Sequence, residues 1–214
     1  MIVLAGTIGA GKSSLTKMLA AHLDSQAFFE PVEENEVLPL FYQDPKKYAF
    51  LLQIYFLNRR FASIKQALKA ENNVLDRSIY EDSLLFHLNA DLGRATATEV
   101  QVYDELLQNM LEELPHTSQK KSPDLLVHIR VSFATMLERI EKRGRDFEQI
   151  SFDPNLYAYY QELNHRYDAW YETYDASPKI QIDGDVFNFV EDEQAAQKVL
   201  QIIEEKLQEI RRVA

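Results

Sequence analysis

Short apolar runs alternate along the chain with longer stretches of helical period, and this alternation predicts a parallel β-sheet covered by helices. The candidate strands are Ile2–Ala5, Ala27–Phe29, Asn73–Leu75, Leu125–Ile129 and Ile180–Ile182. Each is short and mostly apolar, as strands buried on both faces are. Between them apolar residues recur every three or four positions. Leu15, Met18, Leu19 and Leu23 mark a first helix, and Phe50, Ile54, Leu57, Phe61, Ile64 and Leu68 a long second one. Tyr103, Leu106, Leu107, Met110, Leu111 and Leu114 mark a third. Phe133, Met136, Leu137 and Ile140 mark a fourth, with Ser132 placed to cap it. An aromatic-rich stripe from Leu156 to Tyr174 gives a fifth, and a last amphipathic helix spans about 192–211. The polar segment Leu114–Pro123 carries two prolines and reads as a surface loop. With no repeat and no linker, residues 1–214 are expected to form one domain.

Composition narrows the chemistry. A net charge of −11 argues against nucleic acid or an anionic membrane surface as partner, but leaves room for a small anion held by locally clustered cations. The absence of cysteine excludes disulfides, thiolate nucleophiles and Cys-based zinc sites. The five histidines, at positions 22, 87, 116, 128 and 165, show no metal-ligand spacing. No apolar run is long enough to span a membrane. The first strand leads straight into a functional loop, which predicts no signal peptide and a cytoplasmic protein.

That loop, Gly6-Thr7-Ile8-Gly9-Ala10-Gly11-Lys12-Ser13 with Ser14 after it, matches G-x-x-x-x-G-K-[ST] between a strand and a helix. Wrapping a phosphate with inward-facing backbone N–H groups requires dihedrals that glycine reaches without a Cβ clash. The following helix points its positive end at the same anion. Lys12 then reaches the β- and γ-phosphates and the Ser13 hydroxyl ligates Mg²⁺. The loop predicts nucleoside triphosphate binding, which GTPases, ATPases and kinases share.

Other residues separate these classes. The guanine motif N-K-x-D is absent. Asp76, then Arg77, stand at the carboxyl end of the third strand, where ligands bind in open α/β sheets. Asp76 could hold Mg²⁺ through water and Arg77 could neutralise a phosphate; a surface salt bridge is the alternative. Glu30 ends the second strand, with Pro31 stiffening its exit. A carboxylate there can take the proton of an attacking hydroxyl, or be one acid among several. Gln53 and Arg60 lie two turns apart on one helix face, with Asp82 beyond Arg77 able to orient the guanidinium, either for a heteroaromatic base or in a structural ion pair. Arg139, Arg143 and Arg145, with Lys142, cluster near Gly144 as a lid over the transferring phosphoryl group or as a solvated helix end.

Taken together, Gly6–Ser14, Glu30-Pro31-Val32, Tyr42 through Arg60, Asp76-Arg77-Ser78, Asp82 and Arg139 through Glu148 resemble the deoxynucleoside kinases. The run Glu30–Asn35 with Asp76–Ser78 is most similar to the short bacterial deoxyadenosine/deoxyguanosine kinases. The resemblance implies a P-loop kinase fold with a five-stranded parallel sheet in order 2-3-1-4-5, an arginine lid over about 139–152, and a homodimer. It implies Glu30 as the base for the 5′-hydroxyl with Arg77 beside it, and Tyr42 and Glu148 on the sugar 3′-hydroxyl. Gln53, Arg60 and Asp82 would read the base edge, with Phe86 packed on its ring. Asp185 and Phe187 would contact the donor adenine. Three positions depart from the animal relatives: Asp76 where many have Glu, Leu52 where Phe is common, and Phe56 where a small residue stands.

These features predict transfer of the ATP γ-phosphate, with Mg²⁺, to the 5′-hydroxyl of a small-molecule deoxynucleoside in salvage. The bacterial likeness favours deoxyadenosine, ahead of deoxyguanosine or deoxycytidine. Competing readings are a nucleoside monophosphate kinase of the thymidylate kinase type, or a nucleotide-binding regulator without catalysis. An end-product triphosphate is also expected to inhibit by spanning both halves of the site.

Overall fold

A computed structural model of the chain describes residues 1–30, 32, 35–117 and 122–213. β1 (Ile2–Ala5) is buried along its whole length, as its unbroken apolar run requires. It lies between β3 (Val74–Asp76) and β4 (Leu125–Arg130), with Val3 opposite Leu75 on one side and Leu126 on the other. β2 (Ala27–Phe28) and β5 (Lys179–Asp183) complete a parallel sheet in the order β2-β3-β1-β4-β5. The expected order is therefore found. From β1 the chain passes to the edge strand β2, returns inward to β3 beside β1, then crosses to β4 on the other flank. The reversal opens a crevice at the carboxyl ends of β1 and β3.

Strand residues alternate between two cores, because successive side chains point to opposite faces. Ile2, Leu4, Leu125, Val127 and Ile129 face one cluster. Packed there are α1 (Lys12–His22), α6 (Phe133–Arg143), α7 (Asn155–Thr173) and α8 (Glu193–Val213). Val3, Ala5, Leu75 and Leu126 face the other, made with α2 (Val37–Gln43), α3 (Pro45–Ala67) and α5 (Ala97–Thr117). α4 (Asp82–Asp91) gives Leu88 to the first cluster and Phe86 to the second.

Helix ends follow local chemistry. Asp44 caps α3 by accepting the Lys47 N–H at 3.2 Å, and Pro45 takes the first helical position. Ser132 caps α6 as expected, accepting the Thr135 N–H at 3.2 Å, and Gly144 at φ 69° ends it.

β4 and β5 run one residue beyond their expected ends, and other expectations change more. The second strand stops at Phe28, and the third is Val74–Asp76 rather than Asn73–Leu75, which makes Asp76 its last residue. α5 runs to Thr117, so residues 114–117, expected in a loop, are helical. Two helices, α2 and α4, were not signalled, because both are short and carry apolar residues on several faces. The stiffening expected of Pro31, the acids Glu33 and Glu34, and the expected loop at residues 118–121 lie outside the described residues. Among the described residues no helix is long and apolar enough to cross a membrane.

Candidate active site

The loop between β1 and α1 is fixed by its glycines. Gly6 has φ 145°, and a Cβ there would meet the Ile129 carbonyl oxygen at 2.6 Å. Lys12 is buried beneath the loop, its Nζ donating to the carbonyls of Gly6 and Thr7, both at 2.8 Å. Burial, aided by the nearby Arg77 charge, lowers its pKa to about 8. The Ser13 hydroxyl donates to the Asp76 carboxylate. The other carboxylate oxygen of Asp76 is buried and has no hydrogen-bond partner among the described residues, and burial raises the pKa of this group. A hydroxyl beside a carboxylate with an unused oxygen fits a hard cation that takes oxygen ligands and completes its shell from phosphates and water.

Glu30 faces this loop from just beyond β2. Its Oε2 accepts from Arg77 Nε at 3.0 Å and its Oε1 from Arg60 Nη2. Burial pushes the carboxyl pKa up, but the Arg60 and Arg77 guanidiniums together outweigh it and hold it at about 2. Arg60, reaching in from α3, is also ion-paired to Asp82 and lies over the Phe56 ring at 5.1 Å. Asp82 is held in turn by Tyr103, whose hydroxyl donates at 2.6 Å, while its carbonyl accepts from Gln53 Nε2 at 3.2 Å. The three residues read from the sequence as a set are thus one connected network.

The three arginines expected in the lid divide. Arg139 donates to the carbonyls of Ala10 (3.3 Å) and Gly184 (2.7 Å), tying α6 to the phosphate loop and to the turn after β5. Arg143 and Arg145 both reach the Glu148 carboxylate, Arg145 at 3.5 Å. Tyr42 stacks near Phe147 at 4.8 Å between ring centres, and burial raises its hydroxyl pKa. Asp185 accepts the Ser132 N–H at 2.9 Å and, despite partial burial, hydrogen bonds from Thr135 and Ser132 keep its pKa low.

One cavity of about 1010 Å³ connects these groups. Ile8, Gly9, Gly11–Ser14, Glu30, Tyr42, Gln53, Arg60, Asp76, Arg77, the three arginines, Glu148 and Asp185 line it. Gly6, Thr7, Ala10 and Asp82 lie behind that wall rather than on it. Phe86 does not reach the cavity. It is fully buried against Phe50 and Tyr103, with ring centres at 6.0 and 4.8 Å, and Leu85 and Asn89 line the wall from α4 instead. Phe187 is also off the wall, packed beneath Lys198 at 5.7 Å. Sequence reasoning missed Glu81 and Tyr167, both bonded to Arg77. Ser78 and Glu81 form a capping box, a spacing that was available to find the former. Tyr167 was seen only as part of an aromatic stripe.

Comparison with known proteins places this geometry. The family described as deoxynucleoside kinase matches residues 2–208. A deoxyguanosine kinase of Lactobacillus johnsonii is 60% identical over 98% of this chain and 93% of its own. A deoxyadenosine kinase of Lactobacillus acidophilus is 57% identical over 98% of this chain and 97% of its own. Among solved structures, deoxyadenosine kinase from M. mycoides with bound dATP superposes with a TM-score of 0.77 at 33% identity, covering 97% of this chain and 98% of that one. The chain belongs to the deoxynucleoside kinase family.

Proposed function

We propose that the protein transfers the γ-phosphate of ATP to the 5′-hydroxyl of a purine deoxynucleoside, deoxyadenosine or deoxyguanosine. The observation that carries this reading is a carboxylate, Glu30, in the same cavity as the phosphate loop and joined to a base-reading network through Arg60. The relatives of near-equal identity named deoxyguanosine and deoxyadenosine kinases support the purine class.

In this reading the Gly6–Ser14 loop and Lys12 hold the triphosphate, with Asp185 towards the adenine and Phe187 supporting that turn from behind. Ser13 and Asp76 would hold Mg²⁺, which supplies charge neutralisation on the phosphates. Gln53, Arg60 and Asp82 orient the base, with Phe86 supporting that wall from behind. Tyr42 and Glu148 hold the 3′-hydroxyl. Glu30 accepts the proton of the 5′-hydroxyl and Arg77 orients that carboxylate. Arg139, Arg143 and Arg145 stabilise the charge of the transferring group from a lid over 139–152. The whole chain serves as one such catalytic domain, in the cytoplasm and as a homodimer whose mass in solution checks the pairing.

Glu30→Gln tests the reading. It keeps the volume but removes the proton acceptor, so turnover with the deoxynucleoside should fall roughly 10²–10⁴-fold while ATP affinity is unchanged. Turnover near that of the unmodified protein would exclude Glu30 as the base.

A further inference from the structure

Two neighbouring strands, β1 and β3, end in loops that must hold their spacing, one carrying the donor phosphates and the other carrying Arg77. Both loops leave their strands at positive φ, Gly6 at 145° and Arg77 at 92°. For a residue with a side chain that conformation costs energy and persists only where its surroundings enforce it. Between the two loops lies Glu81, fully buried at the end of the 3-10 turn Ile79–Glu81. Its Oε2 accepts the Gly6 N–H at 3.2 Å. Its Oε1 accepts the Ser78 N–H at 3.2 Å and Arg77 Nη1 at 3.4 Å. The same Nη1 donates to the Tyr167 hydroxyl at 2.8 Å, and the Nε edge of the guanidinium binds Glu30.

A local cap needs only the bond to Ser78. The bond to Gly6, 75 residues away, and the contact with Arg77 go beyond capping. A buried carboxylate is costly unless its oxygens are paired, and burial does raise the pKa of Glu81. Here the donors that stabilise it come from both halves of the site. The connected path runs from the phosphate loop through Glu81 to Arg77, and from Arg77 to Glu30.

We propose that Glu81, with Tyr167 on the same guanidinium nitrogen, is a positioning residue that sets Arg77, and through it Glu30, in register with the phosphate loop. The inference rests on the kinase reading above. Displacement of a reacting group by about 1 Å can cost on the order of 10²-fold in rate, so the effect belongs in kcat rather than in binding.

The test begins with the unmodified protein and a purine deoxynucleoside, because absence of turnover there would count against the kinase reading alone. Glu81→Gln is then compared with Arg77→Gln and with the double variant, per folded molecule. The expected result is a kcat lower by about 10- to 100-fold, KM for both substrates within about threefold, and little further loss when Glu81→Gln is added to Arg77→Gln. An unchanged kcat with only a lower melting temperature would overturn the proposal, as would losses that multiply in the double variant. If Glu81→Gln does not fold, the same cycle with Tyr167→Phe decides. A smaller kcat loss that vanishes in the Arg77→Gln background supports the register, and an unaltered kcat contradicts it.

Discussion

Lys12 shows how a residue predicted from a motif acquires a property the motif does not state. The spacing located it, but its low pKa of about 8 comes from burial and from Arg77, a residue 65 positions further on in sequence. Its ammonium donates to two loop carbonyls. A bound triphosphate favours the charged form, so ATP affinity should fall as pH rises through about 8. Between pH 7 and 9 the loss should be about tenfold in titration calorimetry; an affinity that is level across that range would contradict the burial argument. Glu30 behaves in the opposite sense. With its carboxyl held at about 2, it is ionised throughout the neutral range and should add no acid limb to kcat/KM above about pH 4. The placement of the loop glycines and of Glu30 at the cavity is legible in the sequence, from the phosphate-loop motif and from the end of a strand. The bonds of Glu81 to Gly6 and Arg77 are not, since they exist only where two loops converge. Phe86 was assigned a position on the cavity that Leu85 and Asn89 occupy, because helical spacing alone does not fix which side of a short apolar helix faces inward.

At the scale of elements, long periodic helices were read well and short ones poorly. α6 shows the agreement, with Ser132 and Gly144 at its two ends and Arg139 and Arg143 in its last turns. α2 shows the failure: its sequence VLPLFYQ has no polar face to give a period. The contact of β4 with α7 carries a pH dependence of its own. His128 is buried in β4, 4.9 Å from the Tyr171 ring centre, with Nδ1 accepting from Gln181. Burial lowers its pKa from 6.5 to about 4. The unfolded chain therefore binds the extra proton first, and this histidine's contribution is complete above about pH 6.5 and lost as pH falls to about 4. The window is worth at most on the order of 3 kcal/mol. His128→Phe keeps an aromatic ring but cannot take up the proton. Denaturant unfolding should show a stability difference between the two proteins that changes in favour of the variant as pH drops from 6.5 to 4. A constant difference would contradict the assignment.

For the whole molecule, the sheet order reconciles an acidic protein with an anionic substrate. The chain carries −11 overall, yet the switch point beside β1 gathers Lys12, Arg60, Arg77 and the α6 arginines round one cavity. No hydropathy pattern reveals that gathering, because the strands are individually alike and their order is set by how the crossovers pack. The order expected here came from family resemblance, and the structure agrees with it. In the proposed reaction the cavity presents a hydroxyl, not a phosphate, to the donor, with Glu30 as acceptor of its proton. Rates of ADP formation with ATP and each of deoxyadenosine, deoxyguanosine, dAMP and dGMP test it most directly. Rapid conversion of the two nucleosides to their monophosphates is expected, with little activity on the monophosphates themselves; faster phosphorylation of dAMP or dGMP than of the nucleosides would contradict the proposed reaction.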